Sequence, residues 1–331
     1  MKNRLLAEIV IGSILVGLVL FAWNNSSRVS VPDTHDQTYD KSVESVRKGQ
    51  TTVLNSEQAT DAKLVKLKDL TQVTSLNLAE SQVTNEGLKS LVGMTQLREL
   101  MLQKTSVSGD GLKSIASLPL LQELYLSHSK VEDISALEGL KHLQTLRLRG
   151  CPITDSVGSS LEKLTKLRAL GMIDCKVTDK TIEKLSGLKD LEELWLGGTQ
   201  ITDSALEAIA QLPKLRVLSL RRTAVSDIGI KKLATMNSLE ELYLSGSQVS
   251  DEGIAAISGL SSLFAIGVAN TKVTGAVLES FKKMAKLELP IVSAKTFSED
   301  EMANLAKLYP LCEVLEAPST QSDDEVVSRE L

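Results

Sequence analysis

Aromatic residues are scarce in this chain of 331 residues, because Phe, Trp and Tyr together make up only 3% of it. A hydrophobic core built from this composition must therefore be aliphatic. Cysteine is also rare, with Cys151, Cys175 and Cys312 as its three members. Three cysteines do not make a disulfide framework. Cys151 and Cys175 lie 24 residues apart, so we expect them to be structural, with a disulfide between them as the alternative.

The charge balance and the shortage of histidine exclude several functions. The net charge is −5, from 37 basic and 42 acidic residues, and the two signs are mixed along the chain. Nucleic-acid binding would require a basic stripe. The three histidines lack metal-ligand spacing, and neither G-x-S-x-G nor a glycine-rich phosphate loop occurs. The sequence therefore predicts no enzyme, no catalytic residue, no cofactor, no bound metal and no small-molecule substrate.

What the chain does contain is an aliphatic repeat. Each unit reads L-x-x-L-x-L-x-x-[TSC]-x-[VI]-[TS]-[DNG], followed by three further apolar positions. The units begin at Val73, Leu97, Leu121, Leu143, Leu167, Leu191, Leu215, Leu239, Leu263 and Leu287. All intervals are 24 residues except one of 22, from Leu121 to Leu143. A fixed period predicts one elongated domain in which neighbouring units cover each other's apolar edges.

The period and the strand signature resemble those of the leucine-rich repeat family. The units are most similar to the ribonuclease-inhibitor-like type, shortened to 24 residues, and the 22-residue unit resembles the bacterial type found in internalins. The resemblance implies an α/β solenoid with a curved parallel sheet on its concave face and short helices on its convex face. It also implies protein–protein interaction. We expect the short unit around residues 131–137 to carry a tighter convex segment.

A column of aspartates recurs at one phase of the repeat, just after a Ser or Thr in five of its six members. Its members are Asp133, Asp155, Asp179, Asp203, Asp227 and Asp251. The Ser or Thr predicts a helix cap, and the aspartate would then lie in the first turn, where the helix dipole favours a negative side chain. A ladder of calcium sites is the alternative. We do not favour it, because calcium needs six to eight oxygen ligands.

The N-terminus predicts a membrane anchor. Lys2 and Arg4 precede residues 5–23, an apolar stretch interrupted only by Glu8. About 20 apolar residues are needed to span a bilayer as a helix. We therefore expect a transmembrane signal anchor over residues 1–23, with the repeats exported to the periplasmic or extracellular side. A cleaved signal peptide and a secreted protein are the alternative, although Leu20 stands where cleavage requires a small residue.

The remaining boundaries follow from the repeat phase. We predict a polar juxtamembrane tether over 24–48, an N-terminal cap over 49–72, leucine-rich repeats over 73–286, a degenerate repeat and C-terminal cap over 287–316, and an acidic disordered tail over 317–331. Pro290 is expected to break the strand of the degenerate repeat. Ser298 and Glu301 have the spacing of a capping box, which predicts a helix after them.

Three of the few aromatic residues share one strand position. Tyr125, Trp195 and Tyr243 all occupy the middle position of L-x-L, which we expect to project from the concave face. Exposed Trp, Tyr and Arg are the residue types that dominate binding hot spots, although strand propensity also favours aromatics. The candidate binding residues are Met101, Tyr125, Arg147, Arg149, Trp195, Arg221, Arg222 and Tyr243.

These features predict a membrane-anchored, extracytoplasmic module that recognises a protein or peptide through its concave face. The sequence does not identify the partner. Two alternatives remain: a structural stalk or envelope protein with no concave ligand, and a glycan-binding module that stacks Trp and Tyr on sugar rings.

The anchor can be tested by fractionating the full-length protein. We expect it to stay in the membrane pellet after an alkaline wash, because a helix over residues 5–23 would span the hydrocarbon core. Release into the supernatant would contradict the anchor and favour a cleaved signal peptide.

Overall fold

A computed structural model describes residues 34–56 and 58–315 of the chain. In these ranges, twelve strands form one sheet in which every strand pairs in parallel with the next along the chain. The strands are β1 (Val53–Asn55), β2 (Ser75–Asn77), β3 (Glu99–Met101), β4 (Glu123–Tyr125), β5 (Thr145–Arg147), β6 (Ala169–Gly171), β7 (Glu193–Trp195), β8 (Val217–Ser219), β9 (Glu241–Tyr243), β10 (Ala265–Gly267), β11 (Leu289–Ser293) and β12 (Glu313–Leu315). This arrangement confirms the predicted solenoid.

Short helices connect the strands. The α-helices are α1 (Thr34–Arg47), α2 (Asp61–Val65), α3 (Asn85–Leu88), α4 (Gly109–Ile115), α5 (Gly158–Leu161), α6 (Asp179–Glu183), α7 (Leu206–Ile209), α8 (Asp227–Ile230), α9 (Asp251–Ala256), α10 (Leu278–Phe281) and α11 (Glu299–Leu308). Short 3-10 helices occupy Lys89–Leu91, Ser135–Gly139, Asp155–Val157, Lys184–Gly187, Lys231–Leu233, Gly275–Val277 and Ala294–Thr296.

The core lies between the sheet and the helices and is almost wholly aliphatic. The central residue of each strand from β1 to β10 faces it, and this residue is a leucine in β1 to β9, as in Leu100, Leu124 and Leu146, all fully buried. The parallel register places each such leucine directly beside its equivalent in the next coil. Full burial of one leucine contributes about 1.5–3 kcal/mol, so a repeated aliphatic position is sufficient to hold the coils together.

Aspartates at the helix caps link six pairs of neighbouring coils. Asp203 accepts hydrogen bonds from the backbone N of Ser226 at 2.7 Å and from its Oγ at 2.6 Å. Ser226 in turn caps α8 by accepting from the N–H of Ile228. The same bonds to the following cap are made by Asp61, Asp155, Asp179, Asp227 and Asp251. No group of three or more potential metal ligands occurs among the described residues.

The 22-residue unit departs from this column. Asp133 accepts from the N–H and hydroxyl of Ser135 in its own coil, and these bonds hold the pKa of its carboxyl below the usual range. The convex segment here is the 3-10 helix Ser135–Gly139. Because two residues are missing, the coil crosses its convex side without an α-helical turn, as the sequence predicts.

The N-terminal boundary needs a correction. The second half of the predicted polar tether, residues 24–48, is the helix α1, and its Val43 and Val46 are buried with the core residues. The backbone carbonyl of Val46 also accepts from Nε2 of Gln72 at 3.0 Å. The physical reason is that the first coil exposes an apolar edge, which the two valines at i and i+3 cover. The polar composition of this segment concealed the amphipathic helix.

The C-terminal coils contain one confirmed and one wrong prediction. Both bonds of the capping box between Ser298 and Glu301 are present at the start of α11. The strand at Pro290, however, is not broken, since β11 runs through it. Leu289 N donates to Phe264 O, and Ile291 O accepts from Val268 N. Pairing with β10 therefore does not use the proline nitrogen, which has no hydrogen to donate.

No helix in residues 34–56 and 58–315 has both the length and the apolar character needed to cross a bilayer. The predicted anchor over residues 1–23 and the predicted tail over 317–331 lie outside the described residues.

Glycine in the helices makes room for the aspartate column, and this can be tested. A Cβ on Gly229 would collide with Oδ1 of Asp203, whereas a Cβ on Gly259 would meet nothing within 4 Å. We expect Gly229→Ala to lower the free energy of unfolding by about 1–3 kcal/mol, as overpacking does.

The matched control is Gly259→Ala, which should leave stability unchanged or slightly raised. The loss at Gly229 should shrink in an Asp203→Ala background, which chemical denaturation of the four proteins would measure. Equal changes in the free energy of unfolding for Gly229→Ala and Gly259→Ala would contradict the proposed contact between residue 229 and Asp203.

Candidate binding surface

The concave face of the sheet, opposite the core, carries a row in which large and small side chains alternate. The row consists of the last residues of β5 to β10, which are Arg147, Gly171, Trp195, Ser219, Tyr243 and Gly267. The rings of Trp195 and Tyr243 stack over Ser219, with centroids 5.9 Å apart and planes inclined by 20°. The guanidinium of Arg147 lies 6.0 Å from the Trp195 ring.

The small residues create the space for these contacts. A Cβ on Gly171 would lie 3.0 Å from Cδ of Arg147, and a Cβ on Gly267 would lie 3.2 Å from Cδ1 of Tyr243. Equivalent residues on neighbouring strands are only about 4.8 Å apart. The small side chain of Ser219 therefore leaves room for the rings of Trp195 and Tyr243, two strands apart, to approach each other.

A parallel row of glutamates binds the polar atoms of the large side chains. Oε2 of Glu193 accepts from Nη2 of Arg147 at 2.7 Å and from Nε1 of Trp195 at 3.3 Å. The phenols of Tyr125 and Tyr243 each donate to the glutamate two residues earlier, at 2.6 Å. Burial, together with the bond to its glutamate, raises the pKa of Tyr125 well above its ordinary value.

Five of the eight candidate residues, Met101, Tyr125, Arg147, Trp195 and Tyr243, share one register position of the sheet, and the candidates differ in exposure. Trp195 and Tyr243 are each only 5% exposed, and Arg221 is 6% exposed. Met101 and Tyr125 are partly exposed. The sequence predicts that all of them project into solvent. The structure instead packs the rings of Trp195 and Tyr243 together within an apolar cluster, with Arg147 over the Trp195 ring.

Sequence reasoning missed an apolar cluster on the same face. We call it the outer apolar cluster, and it consists of the buried residues Ile173, Trp195, Tyr243, Ala265, Leu289 and Ile291 with Val217, Phe264 and Leu315 packed against them. It is separate from the core. Apolar residues at the outward strand positions of the last units were the signal that could have revealed it.

Sequence reasoning also missed the acidic partner of two candidate arginines. Asp174 lies 3.5 Å from Nε of Arg149 and accepts a 2.9 Å hydrogen bond from Nη2 of Arg222. Asp174 and Arg222 both have left-handed backbone conformations, with φ of 56° and 51°. Glycine is favoured at such positions, and Gly150, Gly198 and Gly246 occupy the same place in other coils.

A small polar hollow lies at the centre of the face. Its volume is about 10 Å³, roughly the space of one water molecule. It is lined by Gln103, Tyr125, Ser127, Arg147, Arg149, Gly171 and Ile173. Oε1 of Gln103 and the Nε and Nη1 atoms of Arg147 are buried there without a hydrogen-bond partner among the described residues. Buried polar atoms of this kind need a partner, so the hollow suits a polar group from water or a ligand.

The two in-phase cysteines are free thiols. Sγ of Cys151 donates to Leu126 O and Sγ of Cys175 to Leu148 O, both at 3.1 Å and both in the preceding coil. Burial raises the pKa of both thiols, that of Cys175 to about 12. They are therefore structural hydrogen-bond donors. Thr105, at the same phase, bonds within its own coil instead, to Leu102 O.

The parallel sheet and the hydrogen bonds that recur at one phase of each coil define a leucine-rich repeat protein. A family model described as a leucine-rich repeat region matches residues 72–329, and the chain belongs to that family. Among solved structures, it is similar to internalin C2 of Listeria monocytogenes, with 26% identity, a TM-score of 0.53, and coverage of 74% of this chain and 100% of that one. It is also similar to the internalin InlF of the same species, with 21% identity, a TM-score of 0.50, and coverage of 75% and 88%. No curated protein matches the chain.

Glu193 accepts hydrogen bonds from both Arg147 and Trp195, so a substitution at Glu193 tests whether the row depends on this carboxylate. In a protein whose other tryptophan is removed by Trp23→Phe, we expect Glu193→Gln to shift the fluorescence of Trp195 and to cost about 1 kcal/mol of stability, since the carboxylate is partly exposed.

The matched control is Glu192→Gln. Glu192 is the preceding residue and pairs with Arg168 at the edge of the sheet. The Glu192→Gln substitution should leave the fluorescence spectrum of Trp195 unchanged. A spectral change of the same size in both variants would show that the Trp195 environment does not depend on Glu193.

Proposed function

We propose that the chain is a recognition module that binds a protein or peptide partner through the concave face of its solenoid. Membership of the leucine-rich repeat family supports a binding role over a catalytic one. The observation that carries the proposal is the surface formed by β3 to β5. There Tyr125, Arg147 and Arg149 line the polar hollow, and Met101 lies beside Tyr125 on the adjacent strand.

This part of the face combines the features expected of a binding hot spot. Met101 and Tyr125 offer partly exposed apolar surface. Arg147 still has two guanidinium nitrogens without a partner among the described residues. Tyr, Met and Arg are enriched in interfaces, and a partner group that entered the hollow would gain hydrogen bonds that the uncomplexed face lacks.

Our proposal includes the anchor over residues 1–23, which would hold the module on the periplasmic or extracellular side of a membrane. Its support is the apolar stretch over residues 5–23 and the two cationic residues before it.

A structural stalk or envelope protein is the second candidate. The observation that favours it is the burial of Trp195 and Tyr243, because rings used for packing within the row are not anchors for a partner. In that case the concave face would have no ligand, and the stacked row would serve to stiffen the sheet. The glycan-binding alternative remains a prediction.

Site-specific photo-crosslinking separates the two candidates. A photoreactive residue at Tyr125, which is partly exposed on the concave face, should capture a discrete partner in the native envelope, identified by mass spectrometry. The control position is Glu207 on the convex side, whose side chain is 76% exposed.

We expect capture from position 125 only, and we expect Met101→Ser in the same protein to weaken it. Equal, diffuse labelling from both positions would contradict recognition by the concave face and favour the structural role.

A further inference from the structure

The polar hollow on the concave face is lined by hydrogen-bonding atoms of both kinds. Arg147 contributes two donors, Nε and Nη1, and Gln103 contributes one acceptor, Oε1, all buried and unpaired within residues 34–56 and 58–315. Ser127 is only 2% exposed and lines the same hollow, and its hydroxyl can donate or accept. Because unpaired buried polar atoms cost free energy, the hollow favours a group that both donates and accepts.

The size of the hollow restricts that group to a single polar atom. Its volume is about 10 Å³, roughly the space of one water molecule. A carboxamide or a guanidinium carries several polar atoms and needs more space. A hydroxyl has one hydrogen and two lone pairs on one oxygen. It can therefore donate to Oε1 of Gln103 and accept from Arg147, with a second lone pair left for Ser127.

The charges around the hollow also favour a neutral group. Nη2 of Arg147 lies 2.7 Å from Oε2 of Glu193, and Nε of Arg149 lies 3.5 Å from Oδ2 of Asp174. Both positive charges are thus already offset by carboxylates of the chain. A carboxylate from a partner would have no hydrogen for Oε1 of Gln103, and an ammonium group would have no lone pair for Arg147.

The surroundings of the hollow favour a protein side chain over a sugar as the source of the hydroxyl. Gln103 and Tyr125 are partly exposed, so the hollow can be reached from the concave face. A sugar that stacked on aromatic rings would need exposed ring faces, but Trp195 and Tyr243 are each only 5% exposed. A Ser or Thr side chain needs to insert only its tip.

We propose that the hollow is a subsite for one Ser or Thr side chain of the protein or peptide partner, with its hydroxyl bridging Gln103 and Arg147. The inference rests on the proposed function, because it places the partner on β3 to β5. The subsite would act mainly on selectivity. A partner with an apolar residue at this place would leave the atoms of the hollow unpaired, and sites built to hydrogen-bond a hydroxyl reject analogues that lack it.

The test selects random peptides displayed on phage against the full-length protein in detergent micelles. Peptides that crosslink to a photoreactive residue at Met101 lie on the concave face, and Met101 does not line the hollow. We expect these peptides to share a Ser or Thr at one place. Replacing that Ser by Ala, or that Thr by Val, should raise the Kd about tenfold. Against Gln103→Met the same replacement should change the Kd by about twofold or less, because the acceptor is gone.

The matched control is Gln144→Met, a half-buried glutamine that directly precedes β5 and does not line the hollow. The tenfold effect should persist in this variant, and circular dichroism should show both variants folded. An equal effect in Gln103→Met, or shared Asp and Glu in place of Ser and Thr, would overturn the hydroxyl subsite alone. The absence of any peptide that crosslinks from position 101 would overturn recognition by the concave face, and the subsite with it.

Discussion

Most coils of this solenoid are held to the next at two places that recur along the chain. One is the strand, where a central leucine lies directly beside its equivalent in the neighbouring coil. The other is the helix cap, where an aspartate accepts from the backbone and hydroxyl of the next Ser or Thr. Paired leucines lie 24 or 22 residues apart, and each such aspartate lies 23 residues before the Ser or Thr that it binds.

The concave face depends on this constraint. Because the strands stay in register, side chains at one position form a row, and the size of each side chain limits its neighbours. Trp195 and Tyr243 can stack because Ser219 lies between them, and Arg147 can approach Trp195 because the intervening residue is Gly171. The same geometry brings glutamates within reach of the aromatic polar atoms. Recognition by this face, as we propose it, therefore relies on small residues that contact no partner.

Two parts of the concave face, β3 to β5 and β6 to β11, differ in exposure and polarity. In β3 to β5 the side chains are partly exposed and surround a polar hollow, which suits contact with a partner. In β6 to β11 the face carries the outer apolar cluster, whose side chains pack against one another.

The sequence by itself determined the fold, the coil boundaries, the helix caps at Ser226 and Ser298, and the tighter convex segment near Asp133, because each follows from a local pattern repeated at a fixed period. It also predicted that Met101, Tyr125, Arg147, Trp195 and Tyr243 share one face, since strand positions alternate, and the register of the sheet aligns them. Only the tertiary structure decided which of them are exposed, because exposure depends on neighbours 22 to 48 residues away in sequence, as Asp174 and Arg222 show. It also revealed α1 as a cap, since a polar helix with two buried valines becomes recognisable only beside the apolar edge that it covers.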